Sequence, residues 1–200
     1  MDRTYLVEQL KTLADKFDLK ISEEVISEVV GFSEFKVFPK GEILGRTGDD
    51  TSYSGIVMNG LVRSFYVDRE GNDITRYLAG EGSLCVDDGV MGFKERVCMW
   101  EALEESTLML FKTDRFKALI MGNEDLKTLW IDLLEGSLRY KMYRENGFLV
   151  ENATERYLQF RKRYPELAKR VPQRYIATYL GIKPESLSRI RSAMKEEEEQ

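Results

Sequence analysis

Near the end of this chain a carboxylate and a guanidinium stand four residues apart, at Glu185 and Arg189. An arginine fork matches the O6/N7 edge of guanine, and a carboxylate accepts a hydrogen bond from the cytosine amine. A helix that carries both, with Ser186, Ser188 and Ser192 as short polar neighbours, has the groups needed to read a DNA major groove. The alternative is a plain helical hairpin with a solvated face, and the surroundings favour the reading face. Most other chemistry is closed to this chain. It has no histidine, so no triad and no histidine general base can be built. Two cysteines, Cys85 and Cys98, are too few for an iron–sulfur cluster, and without histidine the usual zinc and iron ligand sets are missing. A metal cofactor is not expected, and neither is an enzyme on a cupin-like scaffold.

The elements that must position Glu185 and Arg189 are written in Pro172–Arg191, PQRYIATYLGIKPESLSRIR. Ile176, Leu180, Ile182, Leu187 and Ile190 are spaced so that two crossed helices can bury them together. Ala177 is small where the second helix must approach. Gly181 follows the first apolar stripe, where a positive φ is expected. Pro184 suits the first turn of the next helix and Glu185 its positive end.

Charge singles out the same end. From Asn152 to Lys195 there are eleven Lys or Arg against three Glu, while residues 1–151 carry a net −9 and the whole chain −5. A basic end on an acidic body is expected if only that end meets nucleic acid. Bases from Arg156 to Arg174 are expected to set the salt dependence of binding.

Upstream, Leu6, Leu10, Leu13 and Phe17 predict one helix, and Val25, Ile26, Val29 and Val30 a second, capped near Ser22. From Phe35 to Phe111 short apolar runs alternate with glycine turns, predicting six to eight antiparallel strands in a sandwich, jelly roll or barrel. Asn59-Gly60 reads as a two-residue hairpin and Asp68–Asn72 as a longer one. Thr113 or Asp114 is expected to cap a short helix, and Asn123 a long one. Leu126, Leu129, Trp130, Leu133, Leu134, Leu138, Tyr140 and Tyr143 form a broad apolar stripe on the long helix, part of it a seam for a second copy. Gly147 marks a hinge. Asn152 or Thr154 caps the next helix, which Pro165 ends, and the final EEEEQ reads as a solvated tail. Cys85 and Cys98 are expected as buried thiols, although a disulfide between them is open. No apolar run approaches membrane length, and the N-terminus is charged and amphipathic, so a cytoplasmic chain is expected.

Lys40-Gly41-Glu42, Gly48-Asp49, Asn59-Gly60, Glu70-Gly71, Glu155-Arg156, Ile176-Ala177…Leu180-Gly181-Ile182 and Glu185-Ser186-Leu187-Ser188-Arg189-Ile190 occur in one order. With the β-roll, the long helix and the terminal helix pair, they resemble the Crp/Fnr family of bacterial transcription regulators. The resemblance implies an α+β chain: a cyclic-nucleotide-binding-like antiparallel β-roll over residues 1–122, a dimerisation helix and hinge over 123–147, and a winged-helix-like helix-turn-helix domain over 148–200. It implies a homodimer on an inverted-repeat DNA site, and RNA polymerase as a further partner. By position, Glu185 and Arg189 would contact bases, Lys183 and Ser188 phosphates, with Ser186 and Arg174 beside them.

The resemblance also implies an effector pocket, here at Arg96, Asp87, Tyr140 and Lys141. Arg96 falls near the family's phosphate-binding arginine. The Gly-Glu that precedes it is replaced by Val86-Asp87, and the acidic pair Asp87-Asp88 opposes a phosphate unless turned away. Cyclic AMP is therefore not the expected effector; another ligand, or none, is. An aromatic effector near Tyr66, Tyr77, Trp100 and Tyr140 is one option. A second reading makes the chain a small-molecule sensor whose terminal domain contacts a protein instead of DNA.

Overall fold

The computed structural model describes residues 3–198, the last four by backbone alone. Its contacts divide it into two units, Met1–Ser64 with Leu78–Leu134, and Phe65–Tyr77 with Glu135–Gln200. The division falls inside the long helix and at the middle of two strands.

The first unit begins with α1 (Arg3–Lys16) and α2 (Glu23–Gly31). Phe17 lies beyond the end of α1, and Ser22 caps α2 by accepting from Val25 N. Eight strands follow: β1 (Ser33–Phe38), β2 (Ile43–Gly45), β3 (Tyr53–Asn59), β4 (Val62–Val67), β5 (Asp73–Ala79), β6 (Leu84–Cys85), β7 (Met99–Ala102) and β8 (Ser106–Lys112). They form two four-stranded sheets, ordered β1-β8-β3-β6 and β2-β7-β4-β5. β8 is the spine of the first sheet, antiparallel to β1 (Ser33 opposite Phe111) and to β3 (Gly55 opposite Leu110). This is an antiparallel β-roll in an α+β chain.

Asn59-Gly60 does not close a hairpin. β3 and β4 lie in different sheets, so the pair is a corner where the chain changes sheet. Gly60 takes φ 102° there, and any Cβ would lie 2.7 Å from Ser106 Cα. Ser106 Oγ accepts from Leu61 N at 3.1 Å and holds the corner. A tight turn and a sheet-changing corner ask for the same residue chemistry, which is why the dipeptide misleads. The loop Asp68–Asn72 does join neighbouring strands, β4 and β5, with Asp68 N donating to Asn72 O at 3.0 Å.

The core beneath α1 and α2 gathers Leu6, Leu10, Val25, Ile26, Val29 and Val30 with Met109 and Phe111 of β8, and Leu126 and Trp130 pack against it. These two residues account for one side of the apolar stripe. Helix α3 (Thr113–Gly122) is not capped by Thr113 or Asp114. Thr113 is buried and its hydroxyl donates instead to Thr51 O. Asn123 does cap α4 (Glu124–Val150), accepting from Leu126 N at 3.0 Å.

The second unit contains the later turns of α4, then α5 (Ala153–Arg163), α6 (Pro165–Arg170), α7 (Gln173–Tyr179) and α8 (Pro184–Glu198), with residues 65–77. α4 passes through Gly147, the expected hinge, without a break and stops at Val150, so the helical break lies at Glu151–Asn152. Asn152 and Glu155 then form a reciprocal capping box that starts α5. Pro165 ends α5 and also opens α6, a short helix absent from the expectation; a proline's fixed φ serves both purposes. α8 runs on into the acidic segment as far as Glu198, where a free tail is expected; the last two residues of that segment lie outside the described ones.

Candidate functional site

The helix pair α7–α8 buries most of the predicted apolar set, with Ile182 and Ile190 only half-buried. Tyr175, Ile176, Ala177, Tyr179, Leu180 and Leu187 are buried, and Ala177 and Leu187 have no exposed surface. Full burial of Leu187 between two helices makes Leu187→Ala worth about 2–5 kcal/mol. The turn is closed by Gly181 N donating to Thr178 O and Ile182 N to Ala177 O, both near 3 Å, with Gly181 at φ 67°. α8 starts at Pro184, and its fifteen residues span about 22 Å at 1.5 Å per residue.

Packing Leu187 inward turns the opposite face out. Glu185, Ser188 and Arg189 are exposed, as are Lys183 ahead of the helix and Arg174 on α7; Ser186 is half-buried. Arg174 is partly spoken for, since its guanidinium lies 4.4 Å over the Tyr175 ring and donates to that hydroxyl. Arg189 makes no hydrogen bond or ion pair among the described residues.

Residues 65–77 bring a second contact to α7. Thr178 Oγ1 donates to Thr75 Oγ1 at 2.9 Å and accepts from Thr75 N at 3.2 Å. Arg144 of α4 donates to the carbonyls of Arg76 and of Tyr179, and the Tyr77 ring meets Tyr140 edge-on at 5.9 Å. None of these contacts is visible in local periodicity, because each partner is far away in sequence.

In the first unit the expected phosphate-binding residue, Arg96, points into the protein. Its Nη1 donates to Val86 O and its Nη2 to Tyr53 O, each at 3.0 Å, and Nη1 lies 3.8 Å from Asp88 Oδ2. Arg96 is 7% and Asp88 3% exposed. The backbone folds around them: Arg96 N donates to Asp49 O, Gly48 N to Arg96 O, and Val86 is held at φ 51°, an unusual value for a β-branched residue. The carboxylate beside Arg96 is Asp88, not the expected Asp87, which is half-buried. Asp88 Oδ1 also faces Cys98 Sγ at 3.9 Å.

Of the remaining expected pocket residues, Tyr140 has its hydroxyl 3.0 Å from that of Tyr179, and Lys141 is exposed. Trp100, expected near an aromatic effector, is completely buried, and Tyr66 is exposed. Cys85 and Cys98 are buried free thiols, and burial pushes the Cys85 thiol well above its ordinary range. Burial likewise raises the phenols of Tyr179 and Tyr164. Among the described residues no cluster of acidic or sulfur side chains could hold a metal ion, and no helix is long and apolar enough to cross a membrane.

The family model of the cyclic nucleotide-binding domain matches residues 35–123, which span β1 to α3 and contain Arg96. No curated protein matches the chain by sequence. Among solved structures, FixK2 from Bradyrhizobium japonicum aligns with a TM-score of 0.71 at 19% identity, over 82% of this chain and 85% of that one. The c-di-GMP responsive global regulator CLP of Xanthomonas campestris aligns at 0.71 and 14% identity, over 88% and 93%. The catabolite activator protein of Thermus thermophilus aligns at 0.56 and 22% identity, over 89% and 85%. The fold that these proteins share is the fold of this chain.

Proposed function

We propose that this chain, which has the fold of the Crp/Fnr regulators, is a sequence-specific DNA-binding transcription regulator of that type. The observation that carries the reading is the outward face of α8, where Glu185 and Arg189 stand exposed one turn apart while Leu187 locks the helix down from behind. Glu185 and Arg189 read base edges. Lys183 and Ser188 meet phosphates, and Arg174 adds positive charge beside them.

The regulator acts as a homodimer. On α4, Ile131, Leu134, Leu138, Met142 and Leu149 are 38–76% exposed. At 100° per residue they fall within an arc of about 80°, a continuous apolar stripe that a monomer leaves in water. A second copy of α4 covers it and sets two α8 helices on successive major grooves of an inverted repeat. RNA polymerase is the further partner, and the bacterial cytoplasm is where the chain works.

The β-roll does not take cyclic AMP. Its phosphate would need Arg96, which is only 7% exposed and anchored inward on Val86 O and Tyr53 O, and it would meet the buried carboxylate of Asp88 beside it.

Fluorescence anisotropy of the parent chain and of Arg189→Ala on a selected duplex tests the reading. The substitution should cost about 1–3 kcal/mol of affinity and relax one base position. Equal binding by the two proteins would remove Arg189 from the interface, and failure to bind any duplex would favour a protein partner for the second unit.

A further inference from the structure

The second unit holds a cleft that base reading does not use. The last turns of α4, together with α5 and the end of α7, enclose about 160 Å³. Its walls are largely rings: Tyr140 and Phe148 from α4, Phe160 from α5 and Tyr179 from α7. The Phe160 and Tyr179 centroids are 5.4 Å apart.

Two guanidiniums stand among these rings. Arg144 lies 4.2 Å over Tyr179 and 5.4 Å from Phe148, and Arg156 lies 5.5 Å from Phe148. Both are half-buried. Arg144 donates to the carbonyls of Arg76 and Tyr179 and, at 3.5 Å, to the Tyr140 hydroxyl. Arg156 donates through Nε to Leu180 O and through Nη1 to Glu151 O. A guanidinium has five N–H groups, so each keeps donors in reserve. Neither forms an ion pair among the described residues, and Glu151, the single acid lining the cleft, answers neither charge. Arg163 adds a third cation at the rim, 5.0 Å over the Tyr143 ring.

Half-buried cations answered by carbonyls, one phenol hydroxyl and ring faces, with no carboxylate among them, favour an anion that brings its own charge. Ring walls favour a flat apolar body, and a cavity of about 150 Å³ holds one benzene ring. The geometry points to a binding site for a small monocyclic aryl carboxylate, its ring between Phe148, Phe160 and Tyr179 and its carboxylate on Arg144 and Arg156. This site stands whether or not the chain binds DNA. Its consequence rests on the DNA-binding reading: Tyr179 and Leu180 directly precede the turn into α8, so occupancy would bias where the reading face points.

The test uses the intact chain with benzoate as the probe and benzamide as its neutral counterpart, followed by amide NMR and calorimetry. Benzoate should give saturable shifts centred on Tyr140, Phe148, Gln159 and Tyr179, and should bind at least tenfold more tightly than benzamide. Arg156→Gln should weaken benzoate at least tenfold. Because Arg156 also ties down two carbonyls, circular dichroism must match the parent, and Arg163→Gln, at an exposed rim position, serves as the second variant with an expected threefold loss. Absence of shifts in the cleft, equal binding of benzamide, or indifference to both variants would overturn the site. Duplex binding by a chain that ignores benzoate removes this site alone; benzoate binding by a chain that selects no duplex removes the regulator reading alone.

Discussion

The arginine and carboxylate at Arg96 and Asp88 and those at Arg189 and Glu185 sit in opposite surroundings. Around Arg96 the charge is folded away: two backbone carbonyls and Asp88 answer it, and almost none of it reaches water. On α8, Arg189 and Glu185 are held outward by the buried Leu187 and make no hydrogen bond or ion pair among the described residues. The residue types are the same; the surrounding backbone decides whether a guanidinium is a structural tie or an exposed cation open to a partner. The first arginine is tied into the fold, while the one proposed to meet a base edge has no partner among the described residues.

The sharpest way to break this comparison is to remove each cation in turn. Arg96→Ala strands Asp88 as a buried charge beside two abandoned carbonyls, and should destabilise the first unit by about 3–5 kcal/mol in urea unfolding. At temperatures where the variant is still folded, its duplex affinity should equal the parent's. Arg189→Ala should do the reverse, shifting stability by no more than about 0.5 kcal/mol, as an exposed substitution does, while DNA affinity falls. If both variants lose stability alike, the contrast between tie and reader is wrong.

A finer test separates reading from holding. Lys183→Gln should weaken binding evenly across sequences and lower the slope of log affinity against log salt by about 1, leaving base preference unchanged. A change in preferred sequence would make Lys183 a reading residue. The smallest effect belongs to the thiols beside the Arg96 region. Cys85 and Cys98 are sealed, and the Cys85 thiol is held protonated by burial, so iodoacetamide should modify neither in the folded chain at neutral pH and both after unfolding. Rapid labelling of the native protein would mean that this region opens.

The parts of this structure legible in the sequence are those that local rules dictate. Asn123 and Asn152 announce their helices because a cap needs a short side-chain acceptor at one position. Leu187 and Gly181 betray the helix pair because both spacing and φ are constrained there. Local rules fail where one residue type serves two ends. Gly60 suits a sheet-changing corner as well as a hairpin, and Pro165 can stop one helix and start another. They fail again where a partner is distant. Nothing in Asp87-Asp88 says which carboxylate turns toward Arg96, and the pairing of Arg144 with Tyr179 joins residues 35 apart along the chain.

The central claim is that a pair of α8 helices reads DNA through their outer faces. Selection of duplexes by the intact chain from a random pool tests it most directly. The account predicts enrichment of an inverted repeat whose half-sites lie about 34 Å apart or a multiple of that, with a base preference that Arg189→Ala erases at one position in each half. A pool that emerges with no enriched sequence, or with a single unpaired half-site untouched by that substitution, would contradict it.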